Sequence, residues 1–190
     1  MSCSTLVMEL NAGIVFLAGF LMNIKLSKMS PSRLPCDDQM ISKYVNDSKS
    51  MENQAKKCKN VSLLREAVLL PLVDFTWKDW STKPNSEKGM EILLHLKVLL
   101  EAVHVAHMHQ QQGCLSNPLN KLFQTISDFQ LIVKNLLPQE RALPLEDMPL
   151  RTRSERRVQE LFRRYCTLMR GKISFFLYNV RETFCKTHSR

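Results

Sequence analysis

Apolar residues recur at helical spacing along four segments of the chain, and little in the sequence alternates as a strand would. These segments cover about residues 37–57, 87–111, 117–137 and 154–184. Pro138 stops the third segment, and Ser154 is the predicted start of the fourth. The pattern predicts an all-α protein with four amphipathic helices, in which one apolar face of each helix is buried in a shared core.

The connections between these helices differ greatly in length. A short turn around Gly113 joins the second and third helices, which must therefore run antiparallel. Residues 58–86 and 138–153 form much longer connections. The first of them is rich in apolar residues, which is unusual for a surface loop. We expect it to cross over and pack on the helices.

Four cysteines lie at the ends of the predicted helices: Cys36, Cys58, Cys114 and Cys185. A bridge from Cys36 to Cys58 is excluded, because the ends of the first helix are about 30 Å apart. The pairs Cys36–Cys185 and Cys58–Cys114 make the first two helices parallel and the fourth antiparallel to the first. This is the up-up-down-down topology of a long-chain four-helix bundle. The remaining pairing, Cys36–Cys114 with Cys58–Cys185, stays open, although it leaves the long first connection unexplained.

The N-terminal region predicts export from the cell. Residues 12–24 form an uncharged apolar run of signal-peptide length, too short to span a bilayer. We expect a signal peptide within residues 1–30, cleaved after Ser27 or Ser30, and a secreted domain over residues 31–190 that does not insert into membranes. A buried core helix is the alternative interpretation of the run.

Two further features of the sequence, its glycosylation sequons and one remaining cysteine, matter if the chain is secreted. Asn46 and Asn60 each stand in an N-x-S glycosylation sequon, and Asn60 lies in a predicted loop, where a glycan is more easily accommodated. Cys166 falls on the apolar stripe of the fourth helix. We expect it to be an unpaired, buried thiol.

Nothing in the sequence favours catalysis or a cofactor. His95, His104, His107 and His109 lie on the second predicted helix, but no carboxylate or thiol stands beside them at metal-ligand or triad spacing. We therefore expect neither an enzyme nor a metal site.

The net charge of +9 suits a partner with an acidic surface, whether a receptor, a heparan-type polysaccharide or a nucleic acid. A basic helical nucleic-acid-binding protein is the rival class of protein. Six arginines motivate it: Arg151, Arg153, Arg156, Arg157, Arg163 and Arg164. The predicted leader and the well-placed cysteines argue against it, and no nucleic-acid recognition motif is present.

Several segments resemble the thrombopoietins, in the erythropoietin/thrombopoietin family of four-helix cytokines. The residues that carry the resemblance are Cys36-Asp37 and Ser42-Lys43 in the first helix, Leu69 to Phe75 followed by Trp80 in the first connection, Gly113 to Ser116 in the short turn, and Leu168 to Phe176 followed by Cys185 in the fourth helix. Together they extend over nearly all of the chain after the predicted leader. Erythropoietin-like proteins are the alternative within the same class.

The resemblance implies a monomeric ligand that holds two copies of a class I cytokine receptor and starts kinase signalling for megakaryocyte and thrombocyte production. Residues at positions that match the family's receptor contacts are Asp37, Lys43, Arg170, Lys172 and Phe175, with Pro71 at a supporting position. From helical spacing we expect Phe175 to be exposed and Lys172 to lie at the edge of the apolar stripe. Lys43, Lys172 and Phe175 then fall in one half of the surface of the first and fourth helices. Arg170 and Phe175 are about 140° apart around the helix axis, so one flat patch cannot hold both centrally.

Overall fold

A computed structural model describes residues 34–59, 63–110, 113–137 and 150–187. The predicted signal peptide and Asn60 lie outside the described residues. After a short 3-10 turn at Leu34–Cys36, the elements in chain order are α1 (Asp38–Lys57), β1 (Val68–Pro71), α2 (Trp77–Thr82), α3 (Asn85–His109), α4 (Ser116–Leu136), β2 (Thr152–Glu155), α5 (Gln159–Leu168), a π-helical turn (Met169–Ile173) and α6 (Ser174–Thr187). The last three elements form one continuous helical run, called here the fourth helix.

The predicted helix α1 begins where Asp37 caps it. The Asp37 Oδ1 atom accepts hydrogen bonds from the backbone N–H groups of Gln39 and Met40 at 2.9 and 3.1 Å, which satisfies donors that a helix start leaves open. Ile41 and Met51 lie on the buried face that the apolar spacing predicts. α1 packs against α5, so that the first and fourth helices are neighbours.

Helices α3 and α4 form the most extensive packing in the bundle. Gly113 has a φ of 128° in the turn between them, a backbone conformation that residues with a Cβ rarely adopt. Ile92, Leu96 and Leu99 on α3 are fully buried, as is Phe129 on α4. The ends of both helices lie within two residues of the predicted ones.

The disulfide bonds confirm the predicted topology. Cys36 is bonded to Cys185, and Cys58 is bonded to Cys114. The first bond joins the start of α1 to the end of the fourth helix, and the second joins the ends of α1 and α3. The fold is therefore the up-up-down-down arrangement of a long-chain four-helix bundle.

Cys166 is unpaired and buried, as predicted. The Ser48 hydroxyl on α1 donates a hydrogen bond to its Sγ at 3.6 Å. Burial raises the pKa of the thiol. The residue is therefore an apolar contact between α1 and α5 rather than a reactive group.

The predicted start of the fourth helix is wrong. Ser154 lies in strand β2 instead, where it pairs with Leu69 of β1 in an antiparallel ladder, and the helix begins only at Gln159. The ladder satisfies backbone groups over residues 152–155 that a helix would have satisfied locally. Strand β1 in turn packs on α3, which fixes the long first connection to the bundle.

The first connection also contains a helix that we did not predict. Thr76 caps α2, because its Oγ1 atom accepts a hydrogen bond from the Asp79 N–H at 3.2 Å and donates one to the Asp79 carboxylate at 2.6 Å. In α2 the side chain of Trp80 is buried, whereas that of Trp77, three residues earlier, is exposed.

Among the described residues, no helix combines the length and the apolar character that crossing a membrane requires.

Candidate receptor-binding surface

The structure corrects the expected position of Lys172. Its side chain is only 3% exposed, and its Nζ atom lies 2.6 Å from the Glu91 Oε1 atom on α3. The other oxygen of Glu91 is 2.7 Å from the Nζ atom of Lys83, which precedes α3. Lys172 therefore does not offer its charge to a partner. It is half of a buried ion pair between α3 and the fourth helix.

The surroundings of Glu91 favour its ionised form. Burial opposes ionisation, but the hydrogen bonds from Lys172 and Lys83 outweigh it, so that the pKa of the carboxyl lies below its ordinary value. The Lys172 ammonium also stands 5.7 Å from the ring centres of both Phe75 and Trp80. Electrostatic attraction to these rings thus binds the crossover segment to the same buried pair.

Directly beside this pair, three aromatic rings from two elements meet at the surface. The Trp77 and Phe175 ring centres are 5.0 Å apart in an edge-to-face arrangement, and Phe75 lies 6.1 Å from Phe175. Trp77 is 58% exposed and Phe175 is 37% exposed. We call Phe75, Trp77 and Phe175 the aromatic patch. Its exposure confirms the expectation for Phe175.

The π-helical turn lets the crossover approach the fourth helix closely. In this turn the Ser174 hydroxyl donates to the Met169 carbonyl at 2.6 Å. A Cβ atom added to Gly171 would lie 3.0 Å from the Phe75 ring, tighter than nearly all ordinary contacts. A glycine here gives Phe75 room to pack against the backbone.

Two other predicted residues lie on the fourth helix and in the crossover segment. Arg170 is exposed in the π-helical turn, where its charge is available to a partner. Pro71 is buried as the last residue of β1, four residues before Phe75. A role for Pro71 is therefore to support the crossover segment rather than to touch a partner.

Lys43 is exposed on α1, one turn before Asp47. Asp47 is close enough to Tyr44 to contribute, after burial and Asp128 of α4, to raising the pKa of that phenol. Asp38, which pairs with Arg181 of the fourth helix, lines the same shallow groove as Lys43. The expected sharing of one surface by Lys43 and Phe175 stays a prediction.

Asp37 and Asn46 complete the set of predicted residues on α1. Asp37 is exposed, but one of its carboxylate oxygens already serves the helix cap. Asn46 is exposed and, together with Lys43, lines a shallow groove. The described residues contain no group of three or more His, Cys, Asp or Glu side chains that could hold a metal ion.

Sequence reasoning missed Trp77 and Glu91, for different reasons. The segment Thr76-Trp77-Lys78-Asp79 carries the helix-start pattern of a hydroxyl residue followed by an acid three residues later, so α2 could have been predicted. That helix would have placed Trp77 and Trp80 in different environments. Glu91 gave no such signal, because its partner Lys172 is 81 residues away in the sequence.

The bundle, its crossover and its two disulfides define a long-chain four-helix-bundle cytokine. The sequence profile of the erythropoietin/thrombopoietin family matches residues 33–188, and the chain belongs to this family.

Individual relatives agree with this assignment. Mouse thrombopoietin is 31% identical over 172 residues, which are 90% of this chain and 47% of the relative. Rat thrombopoietin is likewise 31% identical, over 51% of its length. Pig erythropoietin is 25% identical over 158 residues, covering 77% of this chain and 81% of the relative. The chain thus spans about half the length of the thrombopoietins that it matches.

Removing the charge of Glu91 should destabilise the fold more than removing the charge of Lys172. In Glu91→Gln the buried Lys172 ammonium loses its carboxylate, which should lower the free energy of unfolding by about 3 kcal/mol. Lys172→Met should cost less, because Glu91 keeps Lys83. Urea denaturation followed by circular dichroism measures both.

The matched control is Glu87→Gln, one turn earlier on α3. Glu87 also pairs with Lys83, but its side chain is 42% exposed, so the loss should stay below about 1 kcal/mol. Equal losses in Glu87→Gln and Glu91→Gln would contradict the assigned role of the buried pair.

His95 should make stability depend on pH. Burial, and then the nearby Lys172 ammonium, lower its pKa from 6.5 to about 4, although Glu91 acts in the opposite direction. Below pH 6.5 the unfolded chain therefore binds a proton that the folded chain refuses. Between pH 7 and pH 5 the free energy of unfolding should fall by about 2 kcal/mol from this group.

The free energy of unfolding of His95→Leu, measured at pH 7 and at pH 5, should not show this decrease. His109→Gln, at the exposed end of α3, serves as the control and should keep it. An unchanged pH dependence in His95→Leu would show that His95 is not held neutral.

Proposed function

We propose that this chain is a secreted cytokine that binds and dimerises a class I cytokine receptor, and that the aromatic patch is the centre of one receptor contact. The observation that carries the proposal is the exposed Trp77–Phe175 pair in a member of the erythropoietin/thrombopoietin family. Large exposed aromatic rings next to a charged rim are typical of interface hot spots. The protein then acts by binding and not by catalysis.

The rings of the aromatic patch are held in place before a partner binds. Trp77 and Phe175 stand on two separate elements, α2 and α6, which the buried Lys172–Glu91 pair holds together from below. Little conformational freedom is then lost when a partner covers the rings. Arg170 is exposed on the same helix, five residues before Phe175, and its charge favours association with an acidic receptor surface.

A second receptor copy requires a second surface, and α1 offers one. Lys43 is exposed on this helix, which carries none of the rings of the aromatic patch. Two separate faces allow one chain to hold two receptors at once. A glycan on Asn46, which lines the same groove as Lys43, would cover this face. We therefore place the glycan at Asn60 and leave Asn46 bare.

The biological outcome follows from the thrombopoietin relatives. We propose receptor-associated kinase signalling that stimulates megakaryocyte and thrombocyte production, with a signal peptide in residues 1–30 removed on secretion. An erythropoietin-type receptor is the second candidate, favoured by the match to pig erythropoietin over most of that relative's length.

Truncating the aromatic patch should weaken receptor binding without unfolding the chain. Trp77→Ala and Phe175→Ala should each cost about 2 kcal/mol, roughly a 30-fold rise in Kd, because each removes an exposed ring from the contact. These losses should change little with salt, whereas Arg170→Ala should mainly slow association and do so most at low ionic strength. Surface plasmon resonance on thrombopoietin-type and erythropoietin-type receptor ectodomains measures both.

Met108→Ala is the matched control, since this apolar side chain is 56% exposed at the far end of α3. Light scattering at saturating receptor concentration should find two ectodomains on the unmodified chain. Binding by Trp77→Ala and Phe175→Ala that equals that of Met108→Ala would remove the patch from the receptor contact.

A further inference from the structure

Basic side chains are concentrated at one end of the bundle. The segments 52–59, 63–66 and 151–163 together carry nine lysines and arginines and only four glutamates, a net charge of +5 out of +9 for the whole chain. All nine cationic side chains are exposed. We call this set the basic end.

Contacts among these segments make the basic end one continuous surface. The Arg156 guanidinium donates to the carbonyl oxygens of Leu64 and Arg65 at 2.8 and 3.0 Å, which joins the first connection to the start of α5. Burial raises the pKa of Glu52 on α1, but Lys56 and, more weakly, Arg163 of α5 overcome this effect and lower it. The two helix ends and the loop between them therefore lie side by side.

Three of the four carboxylates of the basic end are paired with its cations, Glu52 with Lys56 and the other two with arginines. Glu155 lies 2.9 Å from Arg157 and 3.1 Å from Arg153, and hydrogen bonds from Arg157 lower its pKa to about 2. Glu160 is shared between Arg153 and Arg163. Each of these glutamates thus meets two guanidinium groups, which leaves an excess of cationic charge at the surface.

Other cations of the basic end have no carboxylate partner among the described residues. These are Lys57, Lys59, Arg65 and Arg151, together with Arg156, whose guanidinium bonds only to backbone carbonyls. Guanidinium groups match the geometry of tetrahedral oxyanions and bind them by two hydrogen bonds at once. An array of such groups is suited to a linear polymer with repeated anionic groups.

We propose that the basic end binds a sulfated polysaccharide of the heparan type. Two disulfide bonds indicate an oxidising, extracellular setting, where sulfated polysaccharides are the abundant linear polyanions. None of the exposed aromatic rings that single-stranded nucleic acid stacks on lies within the described part of the basic end. The chemistry therefore favours a sulfated sugar chain over a nucleic acid.

The part of the basic end on α1 and α5 lies apart from the aromatic patch. Arg163 and Phe175 are 12 positions apart along the fourth helix, about 18 Å at the helical rise. Arg151 is the exception, because its backbone carbonyl accepts a hydrogen bond at 2.8 Å from the N–H of Leu72, three residues before Phe75. A sugar chain bound along α1 and α5 leaves the aromatic patch uncovered. The protein can then be retained on a cell surface or matrix while it remains competent to bind a receptor.

The test compares two triple variants that lose the same charge. Lys57→Gln/Arg65→Gln/Arg151→Gln removes three cations of the basic end that make no ion pair in the described structure. Lys97→Gln/Lys121→Gln/Lys134→Gln removes three exposed cations from α3 and α4. Binding to immobilised heparin at 150 mM NaCl should weaken about tenfold in the first variant and less than about twofold in the second.

Binding of other polymers to the unmodified chain identifies the chemical class of the ligand. Desulfated heparin should fail to bind the unmodified chain, and single-stranded DNA of equal length and an acidic polypeptide should bind more weakly than heparin. Saturating heparin should leave receptor binding unchanged, so the two proposals can fail independently. The proposal is overturned by equal losses in both triple variants, by retention of desulfated heparin, or by tighter binding of DNA or the acidic polypeptide.

Discussion

The buried ion pair between Glu91 and Lys172 is the interaction on which the candidate receptor surface depends. The Lys172 Nζ atom on the fourth helix lies 2.6 Å from the Glu91 Oε1 atom on α3. The same ammonium is 5.7 Å from the ring centres of Phe75 and Trp80. A charge so far from water is tolerated only with a well-placed partner. The crossover segment is thereby fixed to two helices beside the aromatic patch.

The fold itself was largely predictable, because its determinants are local or geometric. The helical spacing of Ile41 and Met51, or of Leu96 and Leu99, is visible in a window of one helix. Helix length excluded one of the three disulfide pairings and the long first connection favoured another, which the structure confirms. These predictions did not require knowledge of side-chain contacts between distant segments.

Apart from α2, whose capping signal is local, the features that sequence reasoning missed depend on contacts between distant segments. Ser154 looked like a helix cap, but its backbone pairs with Leu69, 85 positions earlier in the chain. Lys172 looked like an edge residue because helical spacing gives a direction and no neighbours. Only the folded chain shows that α3 and the crossover close over it. Its family-matched role as a direct receptor contact therefore becomes, in our proposal, a role in positioning Trp77 and Phe175.

The charged groups of the molecule thus act in two ways. In the interior, Glu91 and Lys172 fix the crossover; at the basic end, exposed guanidinium groups exceed their carboxylate partners. The first arrangement concerns stability and shape, and the second concerns attraction of an external polyanion. In our proposal the aromatic patch uses the burial of apolar area instead.

The central claim is that the buried pair positions the aromatic patch for the receptor. A double-mutant cycle in receptor affinity between Glu91→Gln and Trp77→Ala, at a temperature where both variants are folded, tests this coupling most directly. If Glu91→Gln releases the crossover, Trp77→Ala should cost about 1 kcal/mol less in that background than in the unmodified chain. Additive losses would contradict the account, because Trp77 would then be positioned independently of the buried pair.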